Sequence, residues 1–99
     1  MDKQDLLIIL FDYYEELLTD SQKKYFIDYY FNNLSLAEIA ENFNVSRNAV
    51  SKELKLSVEK LNNYEEKLKL YSKDRKLRRL VDQIEDEELK EKIDKILDE

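Results

Sequence analysis

Apolar side chains recur along most of this chain at intervals of three and four residues, the period of an α-helix. Leu6, Leu10, Tyr13 and Leu17 keep that interval and predict a first helix over about Asp5–Leu18. Leu7, Ile8, Ile9 and Phe11 fill its other sides, so its first half is apolar nearly all round. Such a helix needs partners on more than one face. The expectation is a homodimer in which the Leu6–Phe11 band, Ile8 and Phe11 included, meets its own copy. Thr19-Asp20-Ser21-Gln22 reads as a capping box. It opens a second helix to about Asn32, with Tyr25, Phe26, Tyr29 and Tyr30 as the buried stripe. Ser35-Leu36-Ala37-Glu38 is a second capping box and predicts a short third helix, Leu36–Phe43. Asn44 stands where the chain reverses, and asparagine is the non-glycine residue that best tolerates the left-handed conformation. Ser46 caps a fourth helix. Val50, Leu54, Val58, Leu61, Tyr64, Leu68 and Tyr71 carry its stripe over 22 residues, a length of ~33 Å at 1.5 Å per residue. A bend is expected near Ser72–Asp74. Leu77, Leu80, Val81 and Ile84 mark a fifth helix, and Leu89, Ile93, Ile96 and Leu97 a sixth that begins near Asp86.

Composition sharpens this to an all-α fold. The 99 residues include no glycine and no proline. Most tight hairpin turns need a residue at positive φ that glycine usually supplies, whereas short helix-to-helix links can use asparagine. Histidine and cysteine are also absent. The usual general base, the thiol nucleophile and the commonest metal ligands are therefore missing. Without glycine, neither a P-loop nor a dinucleotide-binding turn can be built. A non-enzyme with no cofactor and no metal is expected. The longest apolar run, Leu6–Phe11, is far short of the ~20 residues of a membrane span. The start Met1-Asp2-Lys3-Gln4-Asp5 lacks the basic opening of a secretory signal, so a cytoplasmic protein without membrane partners is expected.

The net charge of −6 hides a segregation. Residues 1–45 hold 3 basic and 9 acidic side chains, residues 46–79 hold 11 and 5, and residues 80–99 hold 3 and 9. All the excess positive charge lies in the middle third. Local potential governs a phosphate contact at a Debye length of ~8 Å, so this segment is the candidate nucleic-acid surface.

Its first part has the marks of a helix-turn-helix, spanning residues 36–56. A small residue, Ala40, sits midway along the first helix, where the second must cross closely. Phe43 and Val45 provide an apolar wedge on either side of Asn44. Ala49, Val50 and Leu54 can face inward, leaving Ser46, Arg47, Asn48, Ser51, Lys52 and Lys55 to face outward. Those residue types read base edges and clamp phosphates from the head of a recognition helix. A second basic cluster follows at Lys73, Arg75, Lys76, Arg78 and Arg79.

The stretch LLTDSQKKYFIDYYFNNLSLAEIAENFNVSRNAVSKEL resembles the promoter-reading helix-turn-helix of bacterial sigma factors. With YEEKLKLY after it, the chain is more similar still to the YlxM family of small proteins, over about Leu17–Tyr71. The resemblance implies a sigma-like helix-turn-helix bundle with a long fourth helix and C-terminal helices, a homodimer, and a part in the signal recognition particle pathway. One departure from the sigma pattern is Glu53, where an apolar residue would stand three positions after Val50. It is expected to bring an acid near the groove-facing side. The expected organisation is a helix-turn-helix domain over residues 1–71 and a C-terminal extension over 72–99, packing on that domain or on a dimer mate. The expected ligand is the RNA or a GTPase of the targeting particle, with Lys73, Arg75, Lys76, Arg78 and Arg79 carrying the affinity. The alternative is a DNA-binding regulator that reads duplex with residues 46–60.

Overall fold

A computed structural model describes residues 1–99 and contains helices only. They are α1 (Lys3–Tyr14), α2 (Asp20–Phe26), α3 (Leu36–Phe43), α4 (Arg47–Leu68), α5 (Leu70–Val81) and α6 (Glu87–Leu97). The chain divides into two compact units, Met1–Leu68 and Lys69–Glu99. No helix is long and apolar enough to cross a membrane.

The predicted caps form. Thr19 Oγ1 accepts from Gln22 N at 3.1 Å while Gln22 Oε1 accepts from Thr19 N, and Ser35 and Glu38 repeat the exchange at the head of α3. The hydrogen bond from the Ser35 backbone, and then that from the Ser35 side chain, hold the Glu38 carboxyl below its ordinary pKa. These motifs were legible because each needs only residues within a single helical turn.

In the first unit, α1, α2 and α3 all pack on α4. The core centres on Phe11 and Phe26, whose rings stack at 4.5 Å with 1° between their planes. Leu10, Tyr14, Ile39, Val50 and Leu61 are buried around them. The Tyr14 hydroxyl donates to Glu65 Oε1 at 2.7 Å and ties the end of α1 to the far part of α4. The first helix therefore differs from its expected role. Phe11 is buried inside its own unit, and Leu6–Ile9 are half-buried against it rather than laid open for a copy. α4 crosses α1 as well as α2 and α3, which answers the need of an all-round apolar helix within one chain.

Two helices end differently from expectation. α1 stops at Tyr14 and tightens into a 3-10 turn over Glu15–Leu17. α2 ends at Phe26 and widens into a π-helical turn over Ile27–Phe31. The widened turn closes with Leu34 N donating to Asp28 O at 3.0 Å, around Asn33 in the left-handed region. Tyr29 is exposed and Tyr30 only half-buried, although an uninterrupted α-helix would put both in the stripe with Tyr25 and Phe26.

α4 ends at Leu68, not near Ser72–Asp74, because Lys69 takes a left-handed conformation (φ 57, ψ 31). Lysine carries no signal for that conformation, which costs an L-residue about 1–2 kcal/mol. In the second unit, α5 and α6 pack as a pair. Asp86 caps α6 by accepting from Leu89 N at 3.2 Å.

Candidate nucleic-acid interface

The turn between α3 and α4 is built as the sequence predicts. Asn44 is left-handed (φ 53, ψ 47), Val45 N donates to Ala40 O at 3.0 Å, and Asn44 N donates to Glu41 O at 3.2 Å. That pair of bonds is a Schellman closure, with asparagine in the place of glycine. Ala40 is buried, which lets the helices approach closely. Tyr25 meets Phe43 edge to face at 5.1 Å and braces α2 against the turn. Phe43 is half-buried as expected of a wedge, but Val45 is 39% exposed and contributes less. Ser46 Oγ then accepts from Ala49 N at 3.0 Å and starts α4.

On α4, Val50, Leu54, Ser57 and Leu61 are buried and set the rotation of the helix. Ser46, Arg47, Asn48, Ser51, Lys52 and Lys55 are all exposed. From Arg47 to Lys55 the outward residues span an arc of about 140° at 100° per residue. No ion pair involves Arg47, Lys52 or Lys55. The structure thus brings five of the six predicted residues onto one face at the head of one helix, with Ser46 as the cap before it.

Glu53 does not lie on that face. Its Oε2 accepts from Gln22 Nε2 at 3.0 Å, and Gln22 Oε1 also accepts from Lys60 Nζ at 3.0 Å. Gln22 is buried, and no buried side-chain polar atom lacks a partner. The acid expected beside the groove is thus turned toward α2, where it serves a packed polar cluster. Sequence reasoning missed Gln22 because its second role depends on residues 31 and 38 positions away. The first acid on the outer face of α4 is Glu59, one turn beyond Lys55.

The second cluster lies on α5, in the other unit, and its members differ from one another. Arg78 Nε donates to both Asp74 oxygens at 3.1 Å, and its Nη2 donates to Asp98 Oδ1 at 3.0 Å. The bond to Asp98, and then that to Asp74, raise its pKa above the ordinary arginine value. Arg78 is therefore a brace between α5 and the end of α6, not an available cation. Arg75 lies over the Tyr71 ring at 5.5 Å. Lys73, Lys76 and Arg79 are exposed and make no ion pair. No group of three or more Asp and Glu side chains is placed to hold a metal ion.

A family of helix-turn-helix proteins, UPF0122, YlxM / p13 like, matches the chain over residues 1–99. The chain is 44% identical over 95 residues to UPF0122 protein BH2485 of Halalkalibacterium halodurans, covering 96% of this chain and 83% of that one. It is 41% identical over 102 residues to UPF0122 protein OB1530 of Oceanobacillus iheyensis, covering 99% and 97%. It is 45% identical over 84 residues to UPF0122 protein lin1916 of Listeria innocua, covering 85% and 76%. An all-helical chain with a capped, Schellman-closed helix-turn-helix, matched along its whole length, belongs to the UPF0122 family of YlxM / p13-like helix-turn-helix proteins.

Proposed function

We propose that this protein is a non-enzymatic nucleic-acid-binding regulator that sets the head of α4 in the major groove of duplex DNA. The observation that carries this reading is the exposed face of Ser46, Arg47, Asn48, Ser51, Lys52 and Lys55 with its three unpaired cations. The inward turn of Glu53 supports it too, since no acid then faces outward between Arg47 and Lys55. Lys and Arg there position the helix on the backbone, while Arg47 and Asn48 have the donors and acceptors that discriminate base edges. Arg47→Ala and Asn48→Ala are expected to relax sequence preference by about 1–3 kcal/mol each. Selection of bound sequences from a random duplex pool, followed by titration of the winner against a scrambled duplex, measures this. An unchanged preference in both variants would remove α4 from base reading.

A second reading places the protein in the signal recognition particle pathway, with α5 on its RNA or on one of its GTPases. Lys73, Lys76 and Arg79, exposed and unpaired, favour it. Structured RNA is held mostly through phosphates and 2′-hydroxyls. It needs no base-reading helix, so Arg47→Ala would leave particle-RNA binding intact.

We infer further that the protein is a homodimer joined through the second unit. Leu80 and Ile96 are 61% and 66% exposed, and Leu70, Leu77 and Leu89 are exposed beside them on the same two helices. α5 holds five basic residues and one acid, while residues 82–99 hold nine acids and three lysines. A two-fold axis would set each basic helix beside its mate's acidic one. Leu80→Glu with Ile96→Glu is expected to yield a folded monomer by sedimentation. A wild-type chain that is monomeric at high micromolar concentration would overturn the dimer.

A further inference from the structure

A cavity of about 420 Å³ opens between the π-helical turn, the start of α3 and the middle of α4. Its volume falls in the range of small-molecule sites, roughly 300–1,000 Å³. Leu54 and Val58 of α4 supply an aliphatic wall, and Leu36 of α3 supplies another. The remaining wall is aromatic. Tyr29 and Tyr30 meet edge to face at 5.0 Å and 82°, so a flat ring entering beside them finds both a face and an edge to pack on. Both tyrosines lie on the π-helical turn, Tyr29 exposed and Tyr30 half-buried against Phe26.

The polar groups are ordered along α4, one helical turn apart. Ser51, Lys55 and Glu59 line the cavity in that sequence. Lys55 is the single cation among the lining residues, and Ser51 places a second donor beside it. Glu59 repels an anion from the opposite end. An apolar, partly aromatic slot with Lys55 and Ser51 on one side of Glu59 suits a flat molecule whose single negative group points away from Glu59. Burial, and then the neighbouring Tyr29, raise the Tyr30 phenol above its ordinary pKa.

We propose that this cavity binds a planar aromatic monocarboxylate, with the carboxylate on Lys55 and Ser51, and that its occupancy withdraws those two residues from nucleic acid. The second half rests on the reading of α4 as the duplex-contacting helix; the binding site itself does not.

The test uses the full chain and 2-naphthoate, with 2-naphthylmethylammonium as the charge-reversed control. In an amide NMR titration the carboxylate is expected to shift Ser51, Leu54, Lys55 and Val58, and the amine to leave them in place. Lys55→Ala should weaken naphthoate binding about tenfold, a loss of about 1.4 kcal/mol. Val58→Phe, which fills the slot from its floor, should abolish binding while the helical circular dichroism is retained. Should that variant unfold, Leu36→Phe fills the same slot from α3. No shift at millimolar naphthoate, equal binding of the amine, or undiminished binding by Lys55→Ala would overturn the site. In a duplex titration, saturating naphthoate is expected to lower wild-type affinity about tenfold relative to the same concentration of acetate. The slot-filled variant should not respond. Naphthoate binding with unchanged duplex affinity would overturn the withdrawal of Lys55 and Ser51. Failure of the wild-type chain to bind any duplex would instead end the reading of α4, and the NMR titration alone would then decide the site.

Discussion

Phe26→Ala is expected to destabilise the protein by about 3–5 kcal/mol, the usual range for truncating a buried phenylalanine. Phe26 is wholly buried, stacks on Phe11 at 4.5 Å, and touches the Tyr30 ring at 4.5 Å and the Phe31 ring at 6.3 Å. Its removal leaves a void bordered by three rings whose planes are held by helices on different sides. Such a site relaxes poorly, and the cost rises with the residual cavity. Against a total stability of about 5–15 kcal/mol for a small domain, the loss should lower the urea midpoint by at least about 1 M at a slope of about 1–3 kcal/mol/M. Phe31→Ala is the internal comparison, since Phe31 is 44% exposed and less of its ring is at stake. Urea unfolding of both variants by circular dichroism decides the matter. A Phe26→Ala loss below about 1 kcal/mol would mean that the stacked pair is not the keystone of this unit. The same geometry assigns Phe11 a folding role, so a charged residue there should unfold the chain rather than release a soluble monomer.

The combined variant Arg47→Ala, Lys52→Ala and Lys55→Ala is expected to lose on the order of 10²-fold or more in duplex affinity at 0.1 M salt. Each phosphate left without its cation reduces the steepness of the log–log salt dependence by about 0.9, so three together should flatten it by about 2 to 3. Neutralising Lys73, Lys76 and Arg79 removes the same formal charge from the other unit and serves as the control. On duplex it should cost less, because α5 lies outside the helix-turn-helix. Fluorescence anisotropy across a salt series, with the duplex and the particle's RNA as the two ligands, reads both slopes. Equal losses from the two triples on the duplex would reduce the interaction to undirected electrostatics. A larger loss from the α5 triple on RNA, with the α4 triple silent there, would transfer the function to the targeting particle.

What could be read from the sequence follows from the range of the interactions concerned. Ser35 with Glu38, Ala40 with Asn44, and Ser46 with Ala49 act within one or two turns, and all were legible. The outward face of α4 was legible as well, because Val50 and Leu54 fix a rotation that periodicity alone reveals. Glu53 was misplaced because the same periodicity says nothing of a glutamine on another helix that can turn a carboxylate inward. The π-helical turn could not be foreseen, since Ile27–Phe31 has the composition of an ordinary helix. The α5 cluster counts five cations as a string of letters, but Arg78 is held by Asp74 four positions earlier and by Asp98 20 positions on, and the second partner appears only in three dimensions.

Three residues occupy the left-handed region, and none is glycine: Asn33, Asn44 and Lys69. Asparagine and lysine codons are built largely from A and T, whereas glycine codons all open with two G bases. In such a coding vocabulary a chain reversal is met first by asparagine, at a modest penalty, and at Lys69 by a residue with no local compensation at all. The backbone thus bears a cost that glycine would not carry. Reaching glycine from lysine at position 69 takes two base changes in the codon, so the cheaper residue is remote in mutational steps even though the fold would accept it. The codon table thus places the residue best suited to this reversal two mutational steps from the one that holds it.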